Sequence, residues 1–220
     1  MKQKVALAES GNGSRTEHAY HQIEELIVTL QLQPGQVISE SNLIEELGIG
    51  RTPIREALQR LAFEGLVVIM PRRGVLVSEI NHAKQLALLE LRREVERLIA
   101  RNAARRSSEA ERTEFAALSH ELGVAAEAND DVHFMRLDLQ FNRMTVEASR
   151  NEYAARTMQL IQGLARRFWY RHYQQALDLK RCALLHKAVA AAIANADEKA
   201  AAAASDELVD YMAEFTRASI

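Results

Sequence analysis

The chain has 220 residues, of which 48% are hydrophobic and 26% charged, the make-up of folded material long enough for one large or two small cores, so a wholly disordered chain is excluded. Its 28 Lys and Arg against 30 Asp and Glu give a formal charge of −2, which offers no hint of a nucleic-acid partner. The single cysteine, Cys182, excludes an internal disulfide framework and cysteine-rich zinc modules, and the absence of a signal-peptide core or of a run near the ~18 apolar residues of a membrane span points to the cytoplasm and to no membrane partner.

Punctuation residues divide the chain. All three prolines and seven of the nine glycines precede residue 80. Short elements joined by tight turns are therefore expected first, and long helices with few interruptions afterwards. The expected organisation is a flexible arm over 1–15, a compact unit over 16–80 and a helical unit over 81–220, with the boundary near Ser78 to His82.

In chain order, Tyr20, Ile23, Ile27 and Leu30 lie at helical spacing within 16–31, and Gln33-Pro34-Gly35 ends that helix in a turn. A short helix is predicted from Glu40 to Leu47, with Leu43, Ile44 and Leu47 inward and Gly48 supplying a left-handed residue after it. A third follows at once, with Thr52 as N-cap, Pro53 as the first helical residue, and Ile54, Leu58 and Leu61 buried up to Gly65. Helix, Gly-Ile-Gly turn, helix is helix-turn-helix spacing. Val67 to Met70 and Val75 to Ser78, joined through Pro71-Arg72-Arg73-Gly74, make a β-hairpin, so the unit reads as a winged helix.

Charge is unevenly placed on this unit. Three basic residues face seven acidic ones before Arg51, whereas 51–73 hold five basic residues against Glu56 and Glu64. Arg51 and Arg55 mark the start of the third helix, where an arginine fork meets guanine O6 and N7 in the major groove, while Thr52 and backbone N–H groups suit phosphate. Arg72 and Arg73 sit at the hairpin tip and would reach the DNA backbone or minor groove. The competing reading makes these solvated arginines on a winged helix that binds protein.

Beyond residue 80, three stripes at i, i+3, i+7, i+10 and i+14 predict helices: Leu88, Leu91, Val95, Leu98 and Asn102; Met158, Ile161, Ala165, Phe168 and His172; Ala201, Ala204, Leu208, Tyr211 and Phe215. Breaks at Ser107 to Ser108, Ala128 to Asp131, Asn151, Asp178 and Asn195 to Asp197 cut the region into about six helices. The alanine-rich run from Ala188 to Ala204 suits closely packed helices. Arg92 and Arg167 suit pairing with an anionic ligand, and Asn142 and His186 add hydrogen-bonding groups. No enzyme is expected. Gly48-x-Gly50 is explained by its turn, Cys182 has no nucleophile motif around it, and the Asp138/His186 pair lacks a nucleophile or oxyanion device.

Leu32-Gln33-Pro34-Gly35, Ile38-Ser39-Glu40, the run from Leu47 to Leu58 (Leu-Gly-Ile-Gly-Arg-Thr-Pro-Ile-Arg-Glu-Ala-Leu), Glu64-Gly65-Leu66-Val67 and Arg73-Gly74 together resemble the winged helix-turn-helix signature of GntR-family bacterial transcription regulators. The resemblance implies a homodimer on a short inverted repeat of double-stranded DNA, with Arg51, Thr52, Arg55, Arg72, Arg73 and Gly74 at the contact. Leu89-Glu90-Leu91-Arg92 with Glu96, Leu137-Asp138 with Phe141, Ser149-Arg150-Asn151, and His186 with Ile193 and Asp197 resemble the FadR-type branch, in length the VanR-like subgroup. That branch implies a helical effector and dimerisation domain, hence a mainly α fold: a winged helix-turn-helix with a small β-hairpin, then an all-α bundle.

Many domains of that branch hold a divalent metal such as Zn or Ni through an aspartate, a histidine four residues on and two later histidines. Here these positions carry Asp138, Asn142, His186 and Leu208, so two ligands remain, with Glu207 and His172 as conceivable substitutes; zinc usually takes three or four protein ligands. The expectation is therefore a ligand-responsive regulator, a repressor released by a small organic-acid metabolite held by Arg92, Asp138, Asn142, Arg167 and His186. Metal-dependent sensing at Asp138 and His186 is the alternative.

Overall fold

The computed structural model describes residues 14–176 and 178–219. Residues 1–13 of the expected arm lie outside the described residues; of its last two, Ser14 caps the first helix and Arg15 opens it. The chain divides after Glu79 into two compact units.

In the first unit, α1 (Arg15–Val28) begins at Ser14, whose side chain accepts from Glu17 N–H. Helix α2 (Glu40–Leu47) is capped by Ser39 through Asn42 N–H and stops at Gly48, which is left-handed at φ 66. Helix α3 (Arg51–Phe63) starts earlier than the sequence suggested: Gly50 is the N-cap and makes no side-chain cap bond. Thr52 and Pro53 are thus the second and third helical residues. A proline is tolerated there because the first four helical amides have no intrahelical partner. The first bond of the ladder runs from Ile54 N–H to Gly50 O.

The wing is a three-stranded sheet, one strand more than the expected hairpin. Strands β2 (Val67–Met70) and β3 (Gly74–Val77) form the hairpin, and β1 (Val37–Ile38), too short to show a period, pairs antiparallel with the other edge of β3. Gly74 is fixed by space: its φ is +99, and a Cβ there would lie 2.7 Å from the Ile38 carbonyl oxygen. Ile23, Ile27, Ile54, Leu58, Leu61 and Leu66 are fully buried and join α1, α3 and the sheet. Around them, Glu64 accepts from the Tyr20 hydroxyl at 2.9 Å and from Arg60 Nε at 3.1 Å, and the Arg60 guanidinium lies 3.6 Å over the Tyr20 ring.

The second unit comprises α4 (His82–Arg106), α5 (Glu109–Ala128), α6 (Asp131–Ala148), α7 (Glu152–Ala176), α8 (Leu179–Ala194) and α9 (Glu198–Ala218). The interruptions read from the sequence are helix caps. Ser108 forms a capping box with Glu111, and Asp130, Asp178 and Asp197 each accept backbone N–H groups at the start of the next helix. At the Ser149-Arg150-Asn151 corner, Arg106 donates to the carbonyls of Ser149 and Arg150, and Arg150 pairs with Glu111. The motif there is thus a structural junction.

The main core draws on α4, α5, α6, α8 and α9, with Phe115, Leu118, Leu122, Phe134 and Ile193 at its centre. Small side chains of α8, including Ala183 and Ala190, are fully buried, and Ser119 of α5 donates to Lys187 O of α8. Helix α7 rests on a separate cluster of Ile99, Ala154, Met158 and Ile161, and its Trp169 packs against the main core. The stripe expected on α4 is corrected. Leu91 is 46% exposed, and the buried line runs through Gln85, Leu89, Ile99, Asn102 and Ala103. Because α4 touches α6, α7, α8 and α9, it buries more than one face, and a single-stripe reading misplaces the inner one. Among the described residues no helix is long and apolar enough to cross a membrane.

Gly74→Ala is expected to destabilise the first unit by about 1–3 kcal/mol, through an unfavourable φ and a displaced β1 strand. Denaturant unfolding of the full chain checks this, and an unchanged midpoint would contradict the account of the wing.

Candidate functional site

The first unit presents its basic residues outward. Arg51, Thr52 and Arg55 are exposed along the first turns of α3, and Arg72 and Arg73 are exposed in the hairpin turn. Arg51 and Arg55 are four residues apart and so share one helix face. Starting the helix at Arg51 makes Thr52 an outward second residue instead of a cap, which leaves its hydroxyl available to a ligand. Arg72 is left-handed, at φ 63, and Gly74 lies against Ile38 O, so the task visible for Gly74 is to let the turn pass close to β1. A partner of Arg55 that sequence reasoning missed is Glu40 at the start of α2: Arg55 Nε donates to its Oε2 at 2.7 Å. Fifteen residues of separation hide such a pair from any local pattern.

In the second unit the structure brings together Asp138, Asn142 and His186. His186 is 3% exposed on α8, held edge-on between the Phe134 and Phe141 rings. Its Nδ1 lies 2.9 Å from the Cys182 carbonyl oxygen and its Nε2 3.0 Å from Asp138 Oδ1. Both neighbours are acceptors, so each ring nitrogen donates and the geometry is that of an imidazolium. Burial acts to discharge this ring, yet the hydrogen bond to the Asp138 carboxylate and its charge outweigh it and hold the His186 pKa above its ordinary value. Burial pushes the Cys182 thiol up, which keeps it a poor nucleophile. Asn142 Nδ2 donates to Asp138 Oδ1 and to the Asp138 carbonyl. Asn142 also lines an open cleft of about 680 Å³ between α6 and α7, with Leu139, Val146, Met158 and Gln159. Phe134, Phe141 and Cys182 were the missed members of this site; Cys182 stands one turn before His186 and Phe134 one turn before Asp138, a signal the sequence carries.

The two arginines expected beside this group stand on other helices. Arg92 of α4 is held by Glu96, with Nε at 2.6 Å, and Arg167 of α7 is 3% exposed. The donor set does not fit a divalent cation. Both His186 nitrogens are engaged, the Asn142 amide N–H is turned on Asp138, and Leu208 is a core residue at 5% exposure. Neither substitute joins them: Glu207 is exposed, and His172 packs with Phe168 and His82. Among the described residues no three His, Cys, Asp or Glu side chains converge.

Comparison with known proteins gives matches on both units. Residues 15–77 match the family model described as bacterial regulatory proteins, gntR family, and residues 87–211, more than half of the chain, match the FCD domain. The HTH-type transcriptional repressor RspR of Escherichia coli is 24% identical over 91% of this chain and 88% of its own. An uncharacterized HTH-type regulator of Streptomyces ambofaciens is 36% identical, over 41% of this chain and 38% of its own length. Among solved structures, E. coli McbR/YncC superposes with a TM-score of 0.80 at 19% identity, covering 94% of this chain and 99% of that one. A putative GntR regulator of Rhodococcus sp. RHA1 gives 0.70 at 19% identity, covering 94% of this chain and 100% of that one. These two likenesses show a shared fold.

His186, through its ion pair with Asp138, makes stability depend on pH in a definite direction. With its pKa raised above 6.5 in the folded chain, the pair with Asp138 stabilises fully below that value and is lost as pH rises through the raised one. The melting-temperature gap between the wild type and Asp138→Asn is expected to be widest near pH 6 and to close in alkali. Nitrogen NMR at pH 7 should show both ring nitrogens of His186 protonated, and a neutral ring would contradict the assignment.

Proposed function

The chain belongs to the gntR family of bacterial regulatory proteins that carry an FCD domain, and from that premise we propose that it is a cytoplasmic, homodimeric DNA-binding repressor released by a small organic acid. The observation that carries the DNA half is the outward face of α3 together with the wing turn, which concentrates Arg51, Thr52, Arg55, Arg72 and Arg73 on an otherwise mildly acidic chain. In a dimer, two such faces would meet half-sites of an inverted repeat about one helical turn apart. Bases would be read by the α3 arginines, with Thr52 and the wing fixing register on phosphates.

For the effector, support comes from the buried imidazolium of His186, its hydrogen-bonded Asp138 and Asn142, and the cleft that reaches Asn142. A carboxylate entering there would meet the Asn142 amide first and reach the His186 N–H by displacing Asp138, with the Arg167 guanidinium a second buried cation in the same unit. Such a charge-assisted contact suits an anion more than a cation. Helix α7, whose Ala154, Met158 and Ile161 pack in a cluster apart from the main core, forms one wall of that cleft. Release from DNA requires the ligand to favour one arrangement of the two units by about 1–3 kcal/mol.

Full-length protein titrated into duplex DNA is expected to lose affinity steeply between 50 and 200 mM salt, roughly in proportion to the phosphates it neutralises. Arg55→Ala should cost about 1–3 kcal/mol while the melting temperature holds. An affinity indifferent to salt would favour a winged helix that binds protein instead.

A further inference from the structure

We infer that Glu40 is a specificity-determining residue that positions Arg55, presenting its two terminal nitrogens to a guanine edge and withholding its charge from phosphates. The inference rests on the reading of α3 as the base-reading helix.

Glu40 is the first residue of α2, and its backbone is fixed by the Ser39 cap, which takes Asn42 N–H at 3.1 Å. A carboxylate is favoured at that end of a helix by the backbone dipoles. It reaches across to α3 and accepts from Arg55 Nε at 2.7 Å, so one edge of the guanidinium is occupied and the edge carrying Nη1 and Nη2 remains. That edge matches guanine O6 and N7, whereas adenine offers an amino donor at the corresponding position. With 34% of the Glu40 side chain and 56% of Arg55 exposed, the pair adds little to folding. Its effect lies in orientation. A long, rotamer-rich side chain is held before DNA arrives, so less freedom is lost on binding. The carboxylate acts a second way. It offsets the positive charge that random DNA would attract and is itself repelled by phosphates, so it weakens binding to every sequence while leaving the geometric contact with one base. The acid thus raises the ratio of specific to non-specific binding from both sides.

The test uses the full-length wild type to enrich a duplex from a random double-stranded library, then measures wild type, Glu40→Gln and Arg55→Ala on that duplex, on its single-base variants and on a scrambled duplex. Glu40→Gln is expected to melt like the wild type, to bind the scrambled duplex at least as well, and to lower the selected-to-scrambled ratio roughly tenfold. The lost preference should fall on the G·C pair that Arg55→Ala also ceases to distinguish. Wild-type discrimination at that pair, or equal weakening on both duplexes, would overturn the role given to Glu40. If Arg55→Ala itself loses no base preference, the reading of α3 fails first, and that result is separate because it does not involve Glu40.

Discussion

The carboxylate of Glu64, 7% exposed at the end of α3, is the constraint on which the first unit depends. A charge so placed is costly unless its lone pairs are filled. Here they accept from the Tyr20 hydroxyl on α1 and from Arg60 one turn earlier on α3, while Arg60 also reaches Glu17 and lies on the Tyr20 ring. Burial, Glu24 and Glu64 push the Tyr20 pKa up, so the phenol stays neutral and donates. The network fixes α1 against α3. Because Gly65, Leu66 and β2 follow directly, it also fixes where the wing leaves the helix. The far end of α3 is thereby left to face outward with its arginines.

The second unit contains a buried charge of a different kind. His186 is enclosed by Phe134 and Phe141, but its counter-ion Asp138 is 29% exposed at the side chain, and Asn142 beside it borders a cleft. Glu64 sits in a closed network of one fold; the His186 group has one open side, which is what a ligand site requires. The two domains thus apply the same rule, that a buried charge must be paired, once in a closed network that holds a helix and once beside a cleft.

What was legible in the sequence follows from how local each feature is. Gly48, Gly65, the caps before each long helix and the turn at Pro71 to Gly74 act over a few residues, so the elements of both units could be read directly. The start of α3 was misplaced by two residues because Pro53 is compatible with any of the first helical positions. Strand β1 has two residues and no period to read, and the inner face of α4 was misassigned because that helix is contacted on several sides. At the candidate sites, Asp138, Asn142 and His186 were found through spacing and resemblance. The role of Cys182 as the carbonyl behind the ring is local, one turn before His186 on α8, whereas that of Glu40 as the acceptor for Arg55 depends on approach between segments and appears only in three dimensions. Leu208 shows the converse: the sequence already ruled it out as a ligand, and burial supplies its reason.

The central claim is that α3 and the wing of two copies meet one duplex. Hydroxyl-radical footprinting of the full-length protein on the DNA flanking its own gene tests it most directly. The account requires two protected patches centred about one helical turn apart, roughly 34 Å along the duplex, related by an inverted repeat. A single patch, or cleavage unchanged at protein concentrations that saturate binding, would contradict it.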